Sequence, residues 1–319
     1  MSLEENNSPE ISVVVCVYNE EKNVEPLINN IYEALAGRSF EVIYVDDGST
    51  DSTVSEAKRC MRERMKLVEL KKNYGQSNAL AAGIHHSSGT YIALLDGDLQ
   101  NDPLDIPVML DKLHKDEVDV VAGIRANRQD GMLLRKIPSK FANWIIRRTT
   151  GVHIKDYGCT LKVFKAEIAK NMGLYGELHR FIPVLSVLEG AKISQMDVRH
   201  HARQFGTSKY GLNRTLKVVS DLTLMLFFQK YLSKPMHLFG ASGIFLFALG
   251  MIINFYLLIL KLLGQDIWGK PLLVLALMLV LGGIQLVTTG LVIELLMRIY
   301  YEGSRKKPYR LKKIHTFEK

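Results

Sequence analysis

The sequence predicts an α/β fold, a doubly wound and mostly parallel sheet, followed by amphipathic interface helices and a two-helix transmembrane hairpin. Three observations carry this expectation. Short apolar runs at 11–17, 40–45, 66–70, 91–95 and 118–123 alternate with helical segments, the pattern of successive βαβ units. The best of these runs are apolar on both faces, as strands covered by helices on two sides must be. Two later stretches, 236–263 and 271–299, are almost uninterruptedly apolar and each exceeds the ~20 residues a bilayer crossing needs.

In chain order, residues 11–17 form the first strand, with Tyr18-Asn19-Glu20 at its carboxyl end. A helix over 23–36 presents Val24, Leu27, Ile28, Ile31 and Leu35 on one face. Strand 40–45 ends in Asp46-Asp47-Gly48-Ser49, after which Thr50 or Asp51 caps a helix running towards Met65. Strand 66–70 leads through Asn73-Tyr74-Gly75-Gln76 into a helix ending near His86. Strand 91–95 stops at Asp96-Gly97-Asp98-Leu99-Gln100, and a helix opened by Pro103 returns the chain to strand 118–123. Such alternation makes the strands parallel and their crossovers right-handed. Residues 160–164 and 191–200 read as further strands, and Leu178-His179-Arg180-Phe181 starts a helix.

The chain of 319 residues is 47% apolar and 23% charged, enough for two domains or one domain with an appendage. Its formal charge of +8 suits nucleic acid, anionic lipid or phosphorylated substrates, and does not choose among them. Cys16, Cys60 and Cys159 form no Cys-x-x-Cys pair, so the expectation is a reducing compartment without disulfides or zinc. The first ten residues are polar and acidic, and no signal peptide is expected.

The boundaries expected are a catalytic domain over 1–210, amphipathic juxtamembrane helices over 211–234, the hairpin over 235–300 and a basic tail over 301–319. The loop between the apolar stretches holds one lysine, whereas the tail holds Arg305, Lys306, Lys307, Arg310, Lys312 and Lys313. The positive-inside rule then puts the tail and the catalytic domain in the cytoplasm. Anionic headgroups would draw this tail to the membrane, which accounts for the basic charge without nucleic acid.

The chemistry centres on Asp96 and Asp98. Two carboxylates brought together at a strand's carboxyl end, where open α/β sheets bind ligands, repel unless a cation lies between them. Mg²⁺ or Mn²⁺ suits a site of few carboxylates completed by substrate phosphates. An Asp-rich turn is the competing explanation. The first βα turn, Val17-Tyr18-Asn19-Glu20, has none of the glycines of a dinucleotide-binding turn, and no P-loop motif occurs.

Four segments in register, Val17-Tyr18-Asn19-Glu20, Asp46-Asp47-Gly48-Ser49-x-Asp51, Asn73-Tyr74-Gly75-Gln76 and Asp96-Gly97-Asp98-Leu99-Gln100, carry a resemblance. Together they are similar to the inverting family 2 glycosyltransferases of the dolichol-phosphate mannose synthase type and their bacterial polyprenyl-phosphate relatives. The resemblance implies a GT-A nucleotide-sugar fold, with Tyr18, Glu20, Asp47, Gly75 and Gln76 at the nucleotide sugar and Asp96, Asp98 and Gln100 at the metal. For Asp46 and Asp51, turn formation and helix capping compete with a ligand role. Arg203-Gln204-Phe205-Gly206-Thr207-Ser208-Lys209 matches the relatives' Arg-x-x-Gly-x-Ser-Lys loop, which implies that Arg203, Ser208 and Lys209 close over the diphosphate.

Arg125 and Arg128, with Arg135 beyond, have the forked geometry that clamps phosphate, and by resemblance contact the acceptor. For Arg135 a solvated basic loop is the competing explanation. The resemblance also brings Asp156 to the reacting centre, where relatives' aspartates have been proposed as bases. A phosphate monoester, with its second pKa near ~6, needs no strong base, so orienting the acceptor or balancing the arginines is the alternative. His179 recurs on the acceptor side in some relatives, although a lone histidine is more often structural.

The reaction expected is transfer of one sugar from a nucleotide-diphosphate donor, UDP-glucose or a related UDP-sugar, to a polyprenyl phosphate of undecaprenyl or dolichyl type, giving a β-linked product. GDP-mannose is the alternative donor. A processive polysaccharide synthase would carry Gln-x-x-Arg-Trp and more apolar spans, and neither is present. A non-catalytic scaffold would be expected to lose Asp98 or the Arg203 loop, and both are retained. Interfacial apolar helices make a homo-oligomer a further expectation.

Overall fold

The computed structural model describes residues 8–125, 152–174, 176, 178–203, 235–303 and 311–316. The chain divides into two compact units, one of Met1–Leu222 with Pro308–Lys319, the other of Thr223–Lys307.

The first unit is built on an eight-stranded sheet. Its strands are β1 (Ile11–Val17), β2 (Phe40–Asp46), β3 (Met65–Leu70), β4 (Tyr91–Asp96), β5 (Val120–Arg125), β6 (Lys162–Lys165), β7 (Ile193–Val198) and β8 (Leu311–Thr316), in the spatial order β7-β5-β6-β4-β1-β2-β3-β8. The central strand is β1, paired in parallel with β2 on one side and β4 on the other. Alternation sends Val13, Val15 and Val17 to one face and Val14 to the other, and all four are buried. Helices α1 (Val24–Ala34), α2 (Thr53–Arg59) and α4 (Asp105–Lys115) cover the first face through Leu27, Ile31, Ala57, Ile106 and Met109. Helices α3 (Gln76–His86), α5 (Ala166–Asn171) and α6 (Ile182–Leu188) cover the second through Leu80, Ile84, Ala169 and Ile182. Two-sided cover is why the strands read as continuous apolar runs.

The sheet is mostly parallel, as expected, with β6 antiparallel between β4 and β5 and β8 antiparallel to β3. The structure departs from the sequence reading in three places. Helix α2 ends at Arg59, well before Met65, and Ser52 rather than Thr50 or Asp51 is its N-cap; Asp51 Oδ1 instead accepts from the Thr53 amide at 3.0 Å. Helix α4 starts at Asp105, since Pro103 and Leu104 lie in a turn whose Leu104 amide donates to Asp102. The tail, expected on the membrane, returns to the catalytic sheet as β8, where Ile314 pairs with Val68 in the strand register and His315 meets the buried Glu69.

The second unit contains α7 (Pro235–Leu262) and α8 (Pro271–Gly303), close to the expected stretches. Leu238–Leu262 and Pro271–Leu296 are each long and apolar enough to cross a membrane. The two helices touch backbone to backbone at glycines. A Cβ on Gly283 would lie 2.6 Å from the Phe247 nitrogen, and one on Gly243 would lie 2.7 Å from the Gly283 oxygen. Small residues at such a crossing allow close packing where lipid provides no hydrophobic drive. Large side chains including Ile244, Phe245, Ile252, Phe255 and Leu281 are exposed around the pair, as lipid-facing residues would be. The expected helices over 211–234 lie outside the described residues.

Candidate active site

Sheet register brings the acidic residues together. Asp46 lies opposite Val17 at the end of β2, and Asp96 lies opposite Cys16 at the end of β4, so carboxylates flank the tip of β1 from both sides. The chain can turn immediately after Asp96 because Gly97 has no side chain: a Cβ there would lie 2.3 Å from Val17 Cγ1. Leu99 holds a left-handed φ of 59°, a costly conformation for such a residue and one that concentrates at functional turns.

Asp96 Oδ1 accepts from Gln76 Nε2 at 2.7 Å, tying the first turn of α3 to the tip of β4. Burial, and after it the charge of Asp98, push Asp96 up to about 6. The same burial raises Asp46, and it raises Asp47 against the lowering effect of two backbone donors. The thiol of Cys16, half-buried near Asp96 and Asp47, is pushed well above the ordinary thiol range by burial and by those carboxylates. This corner of the fold therefore resists further negative charge and favours a cation.

Asp98 Oδ2 accepts from Arg203 Nη2 at 2.7 Å, and Asp98 Oδ1 from the Gln100 amide at 3.2 Å. Arg203 Nη1 also lies 3.7 Å from Glu20 Oε1. Glu20 itself accepts from Asn23 Nδ2 at 2.6 Å, and Tyr18 is half-buried beside it. Residues 199–203 are held along the Asp98 loop. The His201 amide donates to the Gln100 carbonyl at 2.8 Å, Asn101 bridges His200, and Arg199 reaches Asp102 and Asp105 at 3.3 and 2.8 Å.

Both oxygens of Asp47 accept backbone amides, Tyr74 at 2.8 Å and Gly75 at 2.9 Å, which fixes the loop before α3. Gly75 needs its φ of 90° to present that amide. Asp46 Oδ2 accepts from the Gly48 and Ser49 amides at 3.1 and 3.0 Å, an Asx-type turn.

On the far side of β4, Arg125 and Asp156 form a two-pronged pair, with Nε–Oδ2 at 2.6 Å and Nη2–Oδ1 at 2.8 Å. Gly158 makes room for it, since a Cβ there would lie 2.7 Å from Arg125 Nη2. The fork expected to hold phosphate is thus engaged by Asp156, for which the sequence left a base role and a role balancing the arginines as alternatives. Beneath them Lys162, only 1% exposed, donates to the Cys159 carbonyl. Burial lowers Lys162, with Cys159, Asp156 and Asp96 opposing that effect. This lysine was missed in the sequence reading, and the signal was there: one cation inside the otherwise apolar run 161–164. His179 Nδ1 lies 3.0 Å from Ser77 Oγ, linking the turn before α6 to α3. Arg128, Arg135, Ser208 and Lys209 lie outside the described residues.

Among the described residues no group of three or more His, Cys, Asp or Glu converges as a metal cage. The donor set that does converge, Asp96 with Asp98, fits an ion that takes one or two carboxylates and completes its shell with water and substrate phosphates.

A mixed α/β sheet with paired carboxylates beyond its central strands is the arrangement expected of a GT-A glycosyltransferase. The profile of Glycosyl transferase family 2 matches residues 12–173, and the chain belongs to that family and is a glycosyltransferase. It is 44% identical over 315 residues to the dodecaprenyl-phosphate galacturonate synthase of Rhizobium johnstonii, covering 96% of this chain and 93% of that protein. It is 33% identical over 311 residues to the undecaprenyl-phosphate 4-deoxy-4-formamido-L-arabinose transferase of Klebsiella pneumoniae, covering 95% and 93%. Among solved structures, glucosyl-3-phosphoglycerate synthase from Mycobacterium tuberculosis, in complex with Mn²⁺, UDP and phosphoglyceric acid, aligns with a TM-score of 0.54 at 18% identity, covering 69% of this chain and 78% of that one. The same enzyme with Mg²⁺ and UDP gives 0.52 at 17% identity, covering 69% and 79%. These structures establish the fold.

Proposed function

We propose that this chain transfers one sugar from a nucleotide-diphosphate sugar to a polyprenyl phosphate at a membrane surface, with inversion and with Mg²⁺ or Mn²⁺. The observation that carries the proposal is the convergence of Asp96 and Asp98 at the tip of β4, where burial and mutual repulsion already favour a cation. Both relatives are named for polyprenyl-phosphate sugars and match nearly the whole chain, the apolar helices included. The greater identity to the galacturonate synthase makes a UDP-hexuronate the donor to try first, ahead of UDP-glucose and GDP-mannose.

In this reading Asp96, Asp98 and Gln100 hold the ion, which would neutralise the departing diphosphate. Tyr18, Glu20, Gly75 and Gln76 line the nucleotide-sugar site, and Asp47 shapes it through the backbone it holds. Arg203, Ser208 and Lys209 meet the diphosphate. Arg128 and Arg135 take the acceptor phosphate, while Arg125 fixes Asp156. Because the acceptor is largely a dianion at neutral pH, its own oxygen can attack the anomeric carbon without surrendering a proton. Positioning and charge neutralisation then supply most of the rate.

Helices α7 and α8 cross the bilayer as a hairpin and bring both of their ends to one side, the cytoplasmic one by the charge of the tail. The test is a panel of radiolabelled UDP- and GDP-sugars with a short-chain prenyl phosphate, scored by label entering organic solvent. One donor should give extractable product, EDTA should abolish it, and Mn²⁺ should restore it. Full transfer after chelation, in a chain carrying Asp96→Ala and Asp98→Ala, would refute the proposal.

A further inference from the structure

The guanidinium of Arg203 engages Asp98, one of the carboxylates proposed above to hold the ion. Its Nη2 lies 2.7 Å from Asp98 Oδ2, and its Nη1 lies 3.7 Å from Glu20 Oε1. Arg203 is 24% exposed at its side chain, against 13% for Asp98 and 10% for Glu20, so the cation plugs an otherwise shielded acidic notch. Two carboxylates, Glu20 and Asp98, meet at this notch from beyond the ends of β1 and β4, and the Arg203 guanidinium reaches both.

The backbone just before Arg203 is anchored independently of that ion pair. The His201 amide is hydrogen bonded to the Gln100 carbonyl, His200 bridges Asn101, and Arg199 is clamped on Asp102 and Asp105. If the guanidinium left Asp98, the chain would stay docked two residues away. The side chain could therefore change partners by rotating, without the Asp98 loop coming apart.

We propose that Arg203 is a placeholder cation: it neutralises Asp98 until a divalent ion takes that carboxylate, and loading of the ion releases the guanidinium toward the donor's diphosphate. The inference rests on the metal-dependent reading above and adds an order of events to it. One carboxylate serves two cations in turn, so the arginine is unavailable to a phosphate before the ion is in place. A donor arriving without metal would meet an occupied guanidinium, which disfavours unproductive binding. A purely structural Arg203 makes the opposite demand, since its loss would loosen the loop that carries Asp98.

The two differ in metal affinity, which can be read without turnover. Metal-stripped full-length protein is titrated with Mn²⁺, and bound ion is followed by loss of the free-ion paramagnetic resonance signal, with and without UDP. Without UDP, Arg203→Gln should bind Mn²⁺ about fivefold more tightly than wild type, the scale of a partly exposed ion pair removed from competition. Arg203→Lys, which keeps the charge without the fork, should fall between them, and Asp98→Asn should bind most weakly. With UDP the advantage of Arg203→Gln should shrink, because the released guanidinium of the wild type then helps hold the phosphates. Equal or weaker Mn²⁺ binding by Arg203→Gln without UDP would overturn the inference while leaving metal dependence intact. Absence of Mn²⁺ binding by wild type and variants alike, with and without UDP, would overturn both.

Discussion

Replacing Asp156 with Asn separates two roles that its position allows. Its carboxylate and the Arg125 guanidinium are 13% and 12% exposed, and they meet through two short charge-assisted hydrogen bonds. Pairs at a fully exposed surface contribute at most about 1 kcal/mol, whereas breaking a buried pair costs about 3–5 kcal/mol because the remaining charge is stranded. For this nearly buried pair, Asp156→Asn should cost about 2–3 kcal/mol. In a domain of roughly 200 residues that lowers the melting temperature by about 5–10 °C. Asp156→Leu combined with Arg125→Leu should recover most of the stability, since no charge is then stranded. It should not recover transfer, which positioning errors of about 1 Å can depress by about a hundredfold. The assays are thermal unfolding in detergent and initial rates between pH 7 and 9. If Asp156 orients rather than accepts a proton, the residual activity of Asp156→Asn stays parallel to wild type across that range. Near-wild-type stability of Asp156→Asn, or activity that climbs back with rising pH, would refute the reasoning.

Three further outcomes are expected. Burial raises Glu41, but hydrogen bonds from Lys66, Ser12 and Ser88 outweigh it and leave the folded carboxylate below its ordinary value. A depressed folded pKa gives stability that is present above the unfolded value of about 4.3 and is lost as pH falls through the folded one. Glu41→Gln should therefore melt below wild type at pH 7, with the gap closing under about pH 4; a gap independent of pH would contradict this. Gly97→Ala places a methyl group 2.3 Å from Val17 Cγ1 and should cost about 1–3 kcal/mol, with Val17→Ala restoring part of the loss in unfolding experiments. In the hairpin, Gly283→Ile should destabilise the detergent-solubilised protein, whereas Gly282→Ile, with no atom within 4 Å of its Cβ position, should be tolerated; equal effects would mean the helices do not pack at Gly283.

The fold was legible where burial wrote an unambiguous pattern. Strand β1 occupies the expected residues and β2 extends one residue past them, because central strands are apolar on both faces and stop at acidic turns. The direction of β6 was not legible, since a four-residue run carries no local mark of whether its neighbours are parallel. Strand β8 was hidden for a different reason: Lys312 and Lys313 read as a membrane-seeking tail, while the pairing that uses them lies some 245 residues earlier in β3. At the site, the sequence brought out the carboxylates but not their partners. Asp47 looks like a ligand until its oxygens are found on Tyr74 and Gly75. Arg125 looks like a substrate contact until it is found on Asp156 across 31 positions, the arginine-balancing role the sequence left open for that carboxylate. Lys162 looks exposed because lysines usually are.

The last strand of the sheet is also the last part of it to be made. Translation delivers β1 to β7 first, then both apolar helices, and only then Leu311–Thr316 to close the open rim of β3. That rim holds Glu69, whose ionic partners are Lys58 and the late-arriving His315. A newly made chain in which Leu311–Thr316 had not yet paired would leave this border without its final ladder of hydrogen bonds. A copy without that pairing would present β3 as a bare edge strand, the kind of border that invites pairing with another chain.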